Sequence, residues 1–137
     1  MAEGVAMGWR GRLEREYLEA DREFVEEVLP VGSVDAGSFG LIADATRYLL
    51  VAEGEEVHIR PDIASLDEVL ASLARGGSAV SRKDAYAAVA KFAELWEAKA
   101  RARGKWDAAV AQARQEGAVQ TQPPRANRSF WARLFGG

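Results

Sequence analysis

A long alanine-rich stretch, Ser81 to about Arg103, limits the folds open to this chain more than any other feature. Ser81 can cap a helix whose first turn holds Asp84, an acid where the helix dipole favours one. Ala85, Val89, Phe92 and Trp96 then recur at three- and four-residue spacings, with Tyr86, Ala93 and Leu95 beside them, which predicts an apolar stripe on one helix face. Eight alanines between Ala85 and Ala102 keep the side chains small enough for close approach by neighbouring helices. Lys99, Arg101, Arg103 and Lys105 gather about Gly104, where a helix ends and its dipole favours positive charge. A helix of this length is expected at the centre of the body.

The remaining elements follow from the same periodicity. Trp9, Leu13, Tyr17, Ala20, Phe24 and Val28 predict a helix from about Gly8 to Leu29, ended by Pro30, with charged residues on its other face. Residues 31–40 read as a Gly- and Ser-rich loop in which Asp35 or Ser38 caps the next helix. The segment from Leu41 to Pro61 has two solutions. Ile42, Ala45, Leu49 and Ala52 suit a helix closed by Gly54, whereas residues 47–51 and 56–59 could pair as a hairpin across Gly54. The helix, followed by a short extended piece, is the preferred reading. Ser65-Leu66-Asp67-Glu68 has the pattern of a capping box opening a helix through Arg75, and a last helix is expected from Trp106 to Gln115. The expected fold is mainly α: a small single-domain bundle of four to five helices over residues 1–117, with the short extended segment or hairpin near 47–60. Residues 118–128 are expected as a Pro-containing linker, and residues 129–137 as an amphipathic tail.

Composition removes several functions. The 137-residue chain has no cysteine, which excludes disulfides, thiolate metal sites and a cysteine nucleophile. It has no apolar run near the ~20 residues of a membrane span, and its first seven residues lack the pattern of a signal peptide. A cytoplasmic protein is expected, or one peripheral on the inner face of the membrane. Gly32, Gly37 and Gly40 lack the spacing and the lysine of a phosphate-binding loop. His58 is the single histidine, and Pro61 separates it from Asp62, the nearest downstream carboxylate, so that pair is not expected to share a helical face. The reading is therefore of a surface histidine without catalytic partners, and of a chain with no catalytic residues, cofactor or metal.

The net charge of −3 conceals an uneven distribution. From Gly117 onward there are three arginines and no acid, which leaves 15 − 21 = −6 for the first 116 residues. An acidic body disfavours nucleic acid and anionic lipid, while a basic aromatic tail favours both. If helical, residues 129–137 place Phe130, Trp131, Leu134 and Phe135 on one face, with Arg133 on another and Arg128 just ahead. These six residues are the candidate docking site, for a protein partner, an anionic membrane surface, or both. Ser129-Phe130-Trp131-Ala132-Arg133-Leu134-Phe135-Gly136-Gly137 resembles the C-terminal membrane-targeting helix of the MinD cell-division ATPases, which likewise ends in Arg-Leu-Phe-Gly-Gly. The resemblance covers about nine residues and implies a shared means of attachment; the body has no nucleotide-binding loop and so no implied ATPase activity.

The functional expectation is a non-enzymatic helical adaptor or assembly factor, able to form homo-oligomers and docked through its tail to a membrane surface or a protein groove. Two alternatives have some support. The alanine-rich helices and the extended Glu55 to Pro61 resemble small tail-assembly or accessory proteins of bacteriophages. Residues 66–95 could instead form a helix-turn-helix, with Ser81 to Asp84 opening a DNA-reading helix, although the turn is longer than usual and the body acidic.

Overall fold

The structure, a computed structural model, describes residues 8–121. A helical turn at 8–12 leads into α1 (Glu14–Glu27), α2 (Ala36–Ala45), β1 (Tyr48–Glu53), β2 (Glu56–Pro61), α3 (Ile63–Arg75), α4 (Arg82–Ala102), α5 (Trp106–Gln115) and β3 (Val119–Thr121). The architecture is mainly helical but is not a pure bundle. A mixed sheet runs in the order β2-β1-β3, with β1 antiparallel to β2 and parallel to β3. Counting the turn at 8–12, the described residues contain six helices rather than four or five.

Helix α4 is the hub. Ser81 caps it by accepting a hydrogen bond from Asp84 N (3.0 Å), and it ends at Ala102, within one residue of the expected boundary. Ala85, Val89, Phe92 and Trp96 are all buried, and the last two join a cluster of rings brought from four other segments. Trp96 lies 4.6 Å from Tyr17, 5.6 Å from Tyr48 and 6.0 Å from Trp9, centroid to centroid. Phe92 meets Phe24 and Phe39, themselves stacked at 4.5 Å. Edge-to-face and offset contacts of this kind hold rings more specifically than area burial alone. Beside the buried stripe of α1, Lys99 pairs with Glu23 at 2.9 Å and Arg103 lies 4.0 Å from the fully buried Glu16.

The start of α4 is also fastened to the loop before α2. Asp84 Oδ2 accepts from Ser33 N (2.7 Å), and Ser33 Oγ accepts from Ser81 N (2.8 Å). The bond from Ser33 chiefly holds the Asp84 carboxyl below its ordinary range. Gly32 makes the contact feasible: its φ is +53°, and a Cβ there would lie 2.2 Å from the Asp84 carboxylate.

Several boundaries differ from expectation. The preferred helix over Leu41–Ala52 is wrong: α2 stops at Ala45, Thr46 is extended, and residues 48–61 form the hairpin. Its loop is Gly54-Glu55, with Gly54 at φ +70°, the conformation a two-residue loop demands at its first position. Tyr48, Leu50 and Val51 are buried within the middle strand, where ring-bearing and β-branched residues pack well. The capping box at Ser65 is also wrong. The cap position is Asp62, whose carboxylate is held by Arg47 at 3.0 Å, while Ser65 is buried and its hydroxyl accepts from Arg47 N at 2.8 Å. The first helix is interrupted by a turn at Leu13 and α1 closes at Glu27. Val119 to Thr121, placed in the linker by the sequence, pair with Leu50 to Ala52 as β3. Asp35 is the cap of α2, and α5 spans Trp106–Gln115 as expected.

Two predictions follow from this packing. Trp96→Ala should cost about 3 to 5 kcal/mol in urea denaturation, because a fully buried ring is removed from the centre of the aromatic cluster; a loss under about 1 kcal/mol would place Trp96 outside the core. The second concerns alkaline pH. Burial, helped by Asp44, pushes the Tyr17 hydroxyl up to about 12, and burial with Tyr17 pushes Tyr48 further in the same direction. Both groups ionise less readily folded than unfolded. Their contribution to stability is therefore complete below about pH 10, the ordinary tyrosine value, and is lost as pH rises toward and past 12. Absorbance titration should show both phenols ionising together with alkaline unfolding; ordinary tyrosine titration by Tyr17 and Tyr48 in the native fold would contradict this.

Candidate functional site

Strand β2 is an edge strand, and alternate residues of an edge direct their backbone groups away from the sheet. Asp62 N donates to Arg47 O, continuing the β1 ladder on the even-numbered side of β2, so Val57 and Ile59 face outward. Helix α4 meets that edge with two side chains one turn apart. Glu97 Oε1 accepts from Ile59 N (3.1 Å), and Arg101 Nη2 donates to Val57 O (3.1 Å). Arg101 Nε also donates to Glu97 Oε2 at 2.8 Å. The pair mimics a neighbouring strand, with one acceptor and one donor at the correct positions.

His58 joins this group. Its Nδ1 lies 2.9 Å from Glu97 Oε2 and its Nε2 lies 3.4 Å from Glu56 Oε1. An ionised carboxylate cannot donate, so the contact with Glu97 requires the proton on Nδ1. Glu97 is buried with a side chain only 11% exposed, and it serves a ring, a guanidinium and an amide at once. The expectation of a histidine without partners is corrected here. The missing signal was long-range: Glu97 lies 39 positions away, on a helix whose facing could not be fixed while residues 41–52 were read as helix.

An open groove of about 250 Å³ adjoins the cluster, between the start of β2 and α5. Trp106, Asp107, Val110 and Arg114 line it at helical spacing on one face of α5. Arg101 also lines it, its guanidinium carbon 4.8 Å from the centre of the Trp106 ring. That stacking holds the guanidinium in one plane, as cation–π contact does. Glu55 and Glu56 are the acidic residues that β2 and its preceding loop bring to the lining. The groove therefore offers fixed charges of both signs and an aromatic wall, and none of its lining residues carries a nucleophilic hydroxyl or thiol. It is suited to recognition by ion pairing.

The tail residues Arg128, Phe130, Trp131, Arg133, Leu134 and Phe135 lie outside the described residues. In the segment considered for DNA reading, Arg82 is engaged by Asp67 at 2.7 Å at the entry to α4, where a base-reading side chain would be needed. Among the described residues no group of three or more His, Asp or Glu is placed to hold a metal, and no helix is long and apolar enough to cross a membrane. No protein-family model, curated protein or solved structure matches the chain.

The Glu97 carboxylate is the part of this cluster that the fold depends on. Glu97→Ala should cost about 2 to 3 kcal/mol, since it strands the Ile59 amide and the Arg101 guanidinium together. Glu97→Gln keeps an acceptor for Ile59 and should cost less, and His58→Ala should cost under about 1 kcal/mol. Equal losses from His58→Ala and Glu97→Ala in chemical denaturation would show that the histidine contact, not the edge bonds, carries the energy.

Proposed function

We propose that this protein is a non-enzymatic adaptor or assembly factor that docks through residues 128–135 to a membrane surface or to a hydrophobic groove of a partner. The sequence of that segment carries the reading. If helical, the segment would bring four large apolar side chains to one face, with two arginines nearby and no acid in the stretch. Such a pattern partitions into the boundary between lipid headgroups and chains, or into an apolar groove. The body supports this by providing a firm point of attachment. Thr121, the last described residue, is paired with the middle strand of the sheet, and a stretch of the length of residues 122–128 spans at most about 24 Å if extended.

A single tail of this size binds marginally. Burial of four such side chains is worth at most about 6 to 12 kcal/mol, and one-sided burial and ordering of the segment reduce it well below that. An arginine near an anionic surface adds about 1 kcal/mol, while the acidic body opposes close approach. Stable attachment thus calls for a second contact, by self-association or a partner already at the surface, acting through effective concentration.

Co-sedimentation with vesicles of mixed phosphatidylglycerol and phosphatidylcholine tests the reading. The full chain should pellet with them and a chain ending at Gln122 should not. Phe130→Glu with Leu134→Glu should abolish pelleting, Arg128→Glu with Arg133→Glu should weaken it most at high anionic content, and Trp131→Phe should be mild. A full chain that ignores these vesicles even when artificially dimerised removes the membrane branch and leaves the protein groove, where Trp131→Phe would be costly because a groove selects shape. If deleting residues 123–137 also leaves partner capture unchanged, the docking role itself is wrong.

A further inference from the structure

Arg10 stands over three aromatic rings at once. Its guanidinium carbon is 5.3 Å from the centre of Tyr17, 5.7 Å from Trp96 and 5.9 Å from Tyr48. Those rings come from α1, α4 and β1, so the box is built by the tertiary fold and not by one helix. Each is almost fully buried, while Arg10 itself is half-buried. Asp44 stands at the rim, its Oδ1 3.3 Å from the Tyr17 hydroxyl, and Asp21 acts on the same phenol. None of the ion pairs among the described residues includes Arg10.

Three aromatic walls with a carboxylate at the rim are an arrangement by which proteins bind organic cations, and the attraction grows as the cation is desolvated. A planar guanidinium suits it better than a compact ammonium, because it stacks on the rings and is more weakly hydrated. A second observation points to a ligand. Tyr48 Oη and Trp96 Nε1, on two of the three box residues, are buried without hydrogen-bond partners, as is Asp21 Oδ1. Buried polar atoms without a protein partner are uncommon, and a site completed by ligand or water is one place where they occur.

The geometry points to a guanidinium-binding site formed by Tyr17, Tyr48 and Trp96, in which Arg10 is an internal occupant that an arginine side chain of a partner protein displaces. The exchange needs only the side chain to move. Trp9, 9% exposed and stacked on Trp96 at 6.0 Å, and the fully buried Leu13 anchor the helical turn at 8–12 while Arg10 rotates out. A tethered occupant competes at high effective concentration, so it lowers the apparent affinity of an incoming guanidinium without altering the box. The site is independent of residues 122–137 and of the docking role assigned to them.

Titration of the full chain with N-acetyl-arginine amide, followed by the NMR shift of the Trp96 indole N–H, tests this. Wild type should show saturable binding, Arg10→Ala at least tenfold tighter binding, and N-acetyl-lysine amide several-fold weaker binding to both. Asp44→Asn, a change at an exposed position, should weaken the wild-type response several-fold and serves if Arg10→Ala does not fold. Saturation by Arg10→Ala but not by wild type would make Arg10 a permanent wall of the core and overturn the proposal. So would equal affinities in the two proteins, or an Asp44→Asn response identical to wild type.

Discussion

The edge of β2 sets a requirement that the rest of the molecule is arranged to meet. A buried amide at Ile59 and a carbonyl at Val57 face away from the sheet, and leaving either unsatisfied would cost a substantial part of a small domain's stability. Another strand would be the usual answer. Here α4 supplies a carboxylate and a guanidinium four residues apart, which match the acceptor and donor spacing a strand would present. This fixes the rotation of α4 about its axis and the height at which it crosses the sheet. It also protects the edge from pairing with other chains.

With that orientation set, the other faces of α4 have defined tasks. The stripe through Val89, Phe92 and Trp96 collects rings from α1, α2 and β1, its first turn is clasped by Ser33, and Lys99 and Arg103 reach acids on α1. The helix is thus tied to every layer. Arg101 serves twice, bonding the β2 edge and stacking on Trp106 in the lining of the groove, so the groove inherits its rigidity from the sheet. Thr121, the last described residue, belongs to the same sheet, so the residue from which the proposed docking segment continues in sequence is held by the body.

What could be read in the sequence was the local information. The cap at Ser81, the apolar stripe of α4, the cap at Asp35 and the bounds of α5 are set by neighbouring residues, and the structure agrees with them. Residues 46–52 read as helix because two periods compete there, whereas the extended piece ending at Pro61 is present as β2. Ile42, Ala45, Leu49 and Ala52 do fit a helix, yet the decisive stabilisation of the hairpin comes from β3, about 70 positions downstream, and from Glu97 and Arg101. Ser65 was misassigned for a similar reason, since its hydroxyl is used by Arg47 across the chain and not by its own helix. The candidate groove and the ring box around Arg10 were invisible because each is assembled from segments far apart in sequence. The cation over three rings required knowing that β1 is a strand, which brings Tyr48 against Trp96.

Native-state hydrogen exchange at single amides tests the central claim, that α4 side chains replace a strand at the β2 edge. Ile59 N–H, which has no backbone partner but is held by Glu97, should exchange as slowly as amides of the β1–β2 ladder, and its protection should fall to that of a locally opening group in Glu97→Ala while the ladder amides follow only the change in global stability. Fast exchange of Ile59 in the native protein, or protection that survives removal of the Glu97 carboxylate, would contradict the account.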